Sequence, residues 1–191
     1  MTKALNELKA GEQFTYGGRE WVQLAENGDG VLCLTADITE RREFHNDEND
    51  DATGYNDWRT STLRKHLNET FIGGLVANGA DAEAFLPFTQ DLTADDGTDD
   101  YGTAEDKIAL ITCDQYRKHR KLIPPIAAWW WTITPWTCGP SNSDYVRDVS
   151  TTGALSNSNA CLGHGGVRPL CNLKSDISVS VTTPDENANE G

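Results

Sequence analysis

The sequence predicts an α+β fold, and three observations predict it. Residues 1–35 alternate and turn like a β meander, helix signals follow at residues 60–74, at 80–85 and from Thr112, and residues 129–181 return to short strand patterns cut by Gly, Pro, Ser and Asn. No internal repeat and no linker divides the 191 residues, so one domain is expected over residues 1–181. Residues 182–191 form an acidic polar tail with no core-forming side chain.

The elements follow in order. Gln13-Phe14-Thr15-Tyr16, the turn Gly17-Gly18 and the run Glu20-Trp21-Val22-Gln23-Leu24 read as a hairpin. Asn27-Gly28-Asp29-Gly30 turns the chain into a buried-type strand, Val31-Leu32-Cys33-Leu34. Residues 39–57 read as an acidic loop. A helix then starts at a Thr60 or Ser61 cap, shows Leu63, Leu67 and Phe71 on one face, and is expected to end at Gly73-Gly74. A short helix is expected over residues 80–85, a loop over 91–103 and a strand over 107–112. Thr112 caps a further helix, which Pro124-Pro125 stop. The later strands are expected at 129–133, 145–149, 154–159 and 166–173, with a hairpin turn at Thr151-Thr152-Gly153 and a last strand through Val179 and Val181.

Sixteen basic and thirty acidic residues give a net charge of −14, which argues against nucleic acid as a partner. No apolar run reaches the roughly 20 residues a membrane helix needs. The N-terminus has no signal-peptide pattern, so folding in the cytosol is expected. Five cysteines at irregular spacing are expected as reduced thiols. Cys138, Cys161, His164 and Cys171 match no common zinc spacing, so no metal site is assigned to them. The acidic stretch from Asp91 to Asp100 could take calcium, but it fails the EF-hand register and reads as a solvated loop. Asp47, Glu48, Asp50 and Asp51 read the same way. No GxSxG, HExxH, P-loop or GxGxxG pattern is present, and no enzyme is expected.

Four of the six tryptophans fall within eight residues, at Trp129, Trp130, Trp131 and Trp136. In a strand, Trp129 and Trp131 share one face and Trp130 takes the other. Trp129 and Trp131 are expected to be structural, and Arg168 is expected to anchor loop carbonyls or a carboxylate. The small polar segments that follow supply candidate binding groups: Trp136, Asn142, Asp144, Tyr145, Asn157, Asn159 and His164.

Several landmarks resemble a family of domains of unknown function from gut-type bacteria and their phages. They are Tyr55-Asn56-Asp57-Trp58-x-x-Ser61-x-Leu63-Arg64-x-x-Leu67-Asn68, Asp106-Lys107 followed by an apolar run, Trp129-Trp130-Trp131 with Pro135, and Gly166-Val167-Arg168-Pro169. The resemblance covers roughly residues 10–175. It implies a C-type-lectin-like fold with two main helices, small antiparallel sheets and long loops, shared with formylglycine-generating enzymes and hypervariable phage ligand-binding proteins. Thr132 stands where that family usually has Arg, and Leu170-Cys171 where Ala-Leu is usual. Cys161 and Cys171 invite comparison with the enzyme's cysteine pair, but their surroundings do not match it. The resemblance implies a non-enzymatic virion protein, made in the host cytoplasm and part of a larger assembly. It would bind a bacterial-surface glycan or protein through its C-terminal loops; the alternative is a capsid-decoration or tail-assembly subunit whose loops contact other virion proteins. No cofactor is expected.

Overall fold

A computed structural model describes residues 1–46 and 54–181. In chain order the first strands are β1 (Thr2–Ala4), β2 (Gln13–Tyr16), β3 (Arg19–Asn27), β4 (Gly30–Thr35) and β5 (Glu40–Arg41). Helix α1 (Thr62–His66) runs through a π-turn (Leu67–Phe71) into α2 (Ile72–Ala77). Short strands β6 (Phe85–Leu86), β7 (Phe88–Asp91), β8 (Thr103–Asp106) and β9 (Ile108–Ala109) precede helix α3 (Cys113–His119). The chain closes with β10 (Trp130–Pro135), β11 (Tyr145–Val149), β12 (Leu155–Asn159), β13 (Gly166–Val167), β14 (Leu170–Lys174) and β15 (Ser178–Val181). The fold is α+β: two helical segments lie with two curled sheets and a small hairpin.

The larger sheet has the order β1-β15-β2-β3-β4-β14-β6, with β9 also on β14. In β4, between β3 and β14, all six residues are buried, as a strand covered on both faces requires. The β2–β3 turn places both Gly17 and Gly18 at positive φ (58° and 71°), the conformation a tight hairpin needs and a side chain resists. The smaller sheet has the order β12-β11-β10-β13-β5. Arg168-Pro169 is the corner where the chain leaves the smaller sheet after β13 and enters the larger one as β14.

The helix does not end at Gly73-Gly74; it continues to Ala77 and stops at Gly79, which holds φ +91°. Leu63, Leu67, Phe71 and Leu75 are all buried. A spacing of four drifts by about 40° per step in an α-helix of 3.6 residues per turn. The π-turn underwinds the helix where this drift accumulates, so all four side chains stay on the core face.

Other expectations are corrected by tertiary pairing. Residues 80–85 form only one helical turn, Ala82–Ala84, before entering β6. The 107–112 strand shortens to β9, and the hairpin of β7 and β8 brackets the acidic loop. Strand β1 was unforeseen; it exists by pairing with β15 across nearly the whole chain length. Strand β5 interrupts the 39–57 loop, and the 166–173 strand splits at Pro169, which has no N–H for a ladder. The sheets are not all small and antiparallel: eight strands join in one, and β10 runs parallel to β13 at Trp130 and Gly166. The expected tail and Asp47, Glu48, Asp50 and Asp51 lie outside the described residues.

Candidate functional site

The tryptophan segment contains β10, with Trp130 and Trp131 in the strand and Trp129 and Trp136 flanking it. Trp131 is fully buried and donates its indole N–H to the Arg42 carbonyl at 3.0 Å. Trp129 meets it edge-on at 4.8 Å between ring centres, so the two share a face as alternation requires. Phe44 lies 6.1 Å from Trp131 and 5.6 Å from Trp58, which extends one aromatic chain into the core. Trp130 takes the opposite face, edge-on to Tyr116 at 5.7 Å and 4.8 Å below the Arg168 guanidinium. Arg168 is 1% exposed and donates to the carbonyls of Thr35, Ala36 and Pro124. Burial brings its pKa down to about 10, so it remains a cation at neutral pH.

Trp136 stands at the far end of β10 and is 37% exposed. The Arg147 guanidinium lies 5.1 Å from its ring centre. Arg147 Nε is 3.4 Å from Asp95 Oδ2, and Asp95 Oδ1 is 3.1 Å from Arg117 Nη2. Arg117 also reaches Asp114 at 2.6 Å. These charges connect the tryptophan to a cleft of about 510 Å3 between the β7–β8 loop and α3. Its walls include Thr93, Asp91 and Asp95, with Arg117 and the amides of Gln90 and Gln115. The two amides bond reciprocally, at 3.1 and 2.8 Å, and Gln90 also donates to the Leu110 carbonyl at 2.6 Å.

The loop after Trp136 is pinned by a side chain from a distant motif. Asn56 is fully buried; its Nδ2 donates to the carbonyls of Thr137 and Tyr145, both at 2.9 Å, and its Oδ1 accepts from Tyr101 at 2.9 Å. Ser143 accepts from Gly54 N through its hydroxyl and from Asn56 N through its carbonyl. Asp96 accepts hydrogen bonds from Thr137 and Thr98, which hold its carboxyl below the usual range and tie the acidic loop to this segment.

The sequence-predicted residues fall into two groups. Trp136, Asn142, Asp144, Tyr145, Asn157 and Asn159 gather around the end of β10 and the β11–β12 ladder. Asn142 is exposed at φ +65° in the turn before β11, and Tyr145 faces Asn159 in the register. Asn159 Nδ2 donates to Asp144 Oδ2 at 2.8 Å, and Asn157 lies opposite Arg147. His164 does not join them. It packs edge-on to Trp129 at 5.6 Å, at the other end of β10, roughly 20 Å away at about 3.3 Å per strand residue. Asn56, Asp95, Arg117 and Arg147 are not among the sequence-predicted binding residues. The Tyr55-Asn56-Asp57-Trp58 motif holds the first, Asp95 reads from sequence as part of a solvated acidic loop and Arg117 as part of a basic helix end, and nothing local marks Arg147.

Among the described residues, no three His, Cys, Asp or Glu side chains come together as a metal site. Asp91 and Asp96 each use Oδ1 to accept from the backbone and hydroxyl of Thr93 and Thr98, turning the loop inward on itself. Cys171 is buried opposite Cys33 in the larger sheet, whereas Cys161 is exposed beyond β12. No helix among the described residues is long and apolar enough to cross a membrane. No curated protein and no solved structure matches the chain. Residues 73–175, more than half of the chain, match the family model described as a domain of unknown function, DUF6273, and the chain belongs to that family.

Proposed function

We propose that this chain is a non-enzymatic binding module of a phage virion. It recognises a bacterial-surface glycan or protein through the surface around Trp136. The observation that carries the reading is an exposed indole whose ring is braced by Arg147, beside a cleft lined with amides, hydroxyls and carboxylates. An exposed aromatic ring flanked by Ser, Asn and Tyr offers apolar contact area with adaptable hydrogen bonding, which suits a polar ligand such as a sugar. At about 510 Å3 the cleft is in the range of small-ligand sites.

The finer fold reading is C-type-lectin-like. Its support is that the tryptophan strand and the Gly166-Val167 strand, two of the landmarks that carry the resemblance, are direct neighbours here. The test is adsorption of a fluorescent form of the protein to a panel of bacterial cells. A triple variant, Trp136→Ala, Tyr145→Ala and Asn157→Ala, is expected to keep its circular dichroism and lose adsorption. Adsorption that survives in the folded variant removes the reading.

The alternative is a structural virion subunit. The edge position of β12, whose second side pairs with no strand among the described residues, favours it, because an open edge can accept a neighbour's strand. Hydrogen exchange of assembled particles separates the two. Protection of residues 155–159 on assembly supports the structural role, and unchanged exchange opposes it.

A further inference from the structure

A second cavity, on a different face of α3 from the cleft at Asp95, has the opposite electrostatic character. It encloses about 160 Å3 between Tyr116 and Arg120 of α3, Pro124, Ile126, Trp130 of β10 and the turn at residues 150–153, with Arg168 also lining it. No carboxylate lines it. The chain as a whole carries a net charge of −14.

The other arginines of the chain's polar surface are mostly neutralised. Arg42 faces Glu40, Arg59 faces Asp57, Arg64 faces Asp106, and Arg117 and Arg147 share Asp95. Arg120 and Arg168 form no ion pair among the described residues, and both line this cavity. Arg168 makes four N–H···O contacts to backbone carbonyls and lies over Trp130, and the one carboxylate that acts on its charge, Asp37, does so from beyond ion-pair distance. A buried cation with no carboxylate in contact raises the affinity of its surroundings for an anion. Arg120 is exposed at the rim, 5.7 Å from the Tyr116 ring centre and close to Gly153, where a Cβ would stand 3.1 Å from its Nη2. Ser150 and Thr152 add hydroxyls 3.0 Å apart on the same turn.

We propose that this cavity binds a small organic carboxylate. The anion sits between Arg120 and the hydroxyls of the 150–153 turn, within the field of Arg168, and its ring or carbon body lies against Pro124, Ile126 and Trp130. About 150 Å3 is enough space for a benzene-sized ring. Phosphate fits the walls less well, because the apolar residues leave its several oxygens without donors. The site is independent of the surface around Trp136, so it stands or falls separately from the binding reading proposed for that surface.

The test is a titration of the isotopically labelled chain, followed by amide and indole NMR signals, at constant ionic strength. The probes are sodium benzoate, sodium glucuronate, neutral benzamide and inorganic phosphate. At least one carboxylate is expected to saturate shifts confined to residues 150–153 and the Trp130 indole. Benzamide is expected to bind at least tenfold more weakly than benzoate wherever benzoate binds. Arg120→Gln, at an exposed position that leaves the fold intact, is expected to weaken the carboxylate about tenfold, and Arg120→Lys to restore part of the loss. The proposal is overturned if neither carboxylate saturates, if benzamide matches benzoate, if Arg120→Gln changes nothing, or if phosphate alone binds.

Discussion

Arg147 is held between Trp136, whose ring centre lies 5.1 Å from its guanidinium, and Asp95, whose Oδ2 lies 3.4 Å from its Nε. The two partners have different structural weight. Trp136 is 37% exposed and leaves little cavity when truncated, so Trp136→Ala is expected to cost no more than about 1 kcal/mol, the scale of an exposed cation–π contact. Asp95 holds both Arg147 and Arg117, and the Arg147 side chain is only 12% exposed. Asp95→Ala leaves that largely buried cation without its partner and is expected to cost about 2–3 kcal/mol. Urea denaturation of the two variants checks the ordering. It also shows whether the exposed tryptophan can be removed without unfolding, which the adsorption experiment needs.

Arg168 gives a second stability prediction. Its donors are the hydrogen-bond partners of the Thr35, Ala36 and Pro124 carbonyls at the corner between the two sheets. Arg168→Met fills much of the same volume but supplies no donor. Each stranded carbonyl costs about 1 kcal/mol, so a loss of about 3 kcal/mol is expected. Arg168→Lys keeps the charge but loses the planar fork that serves several carbonyls together, and it is expected to fall between wild type and Met. The midpoint of urea unfolding is the measurement.

The local signals that could be read from the sequence were those in which one segment carries its own explanation. The Gly17-Gly18 turn, the Thr112 cap with Gln115 and the alternation of Trp129 and Trp131 all appear as expected, because each depends on near neighbours. The failures depend on distant partners. Strand β1 has a weak pattern of its own and exists because Ser178–Val181 pairs with it. Arg147 and Asp95 are separated by 52 positions, and each looks like an ordinary surface charge until β11 and the acidic loop are placed together. His164 was grouped with Trp136 by its place in the sequence. The parallel alignment of β10 with β13 puts it beside Trp129 instead.

The titration behaviour carries a prediction of opposite signs. Burial, helped by the Lys118 ammonium, lowers the His119 pKa below its ordinary value of 6.5. The folded state therefore resists protonation that the unfolded state accepts. The resulting stability is present above pH 6.5 and is lost as pH falls toward and through the lowered value. Burial raises the Asp148 carboxyl above its ordinary value of 3.8, outweighing the pull of the Ser158 hydrogen bond and Arg147, and its Oδ2 has no hydrogen-bond partner among the described residues. Here the folded state holds its proton longer, so stability declines as pH rises from 3.8 through the raised value and stays reduced above it. His119→Gln is expected to flatten the loss of stability just below pH 6.5. Asp148→Asn is expected to raise stability at pH 7 and to remove its own slope on the acid side. Urea midpoints measured from pH 4 to pH 7.5 check both, and a slope unchanged in either variant contradicts the corresponding assignment.

Two pairs of glycines give the last prediction, because their surroundings differ. Gly73 and Gly74 lie inside the continuing helix, neither has a positive φ, and a Cβ on either would meet nothing within 4 Å. Their cost is the backbone freedom they add to the unfolded chain. Gly73→Ala and Gly74→Ala are each expected to stabilise the protein by about 0.5–1 kcal/mol. Gly166 sits where β10 and β13 run side by side; a Cβ there would stand 2.7 Å from Ile38 Cγ2 and 2.8 Å from the Trp129 carbonyl. A Cβ on Gly165 would overlap the Trp131 indole. Either substitution must displace β13 from the tryptophan strand, so Gly165→Ala and Gly166→Ala are expected to destabilise by at least about 1–3 kcal/mol, the range for overpacking. Thermal unfolding of the four single variants tests this. A gain at the helix and a loss at the strand support the structure; a loss at Gly73 or Gly74 would mean that the helix does not run through them.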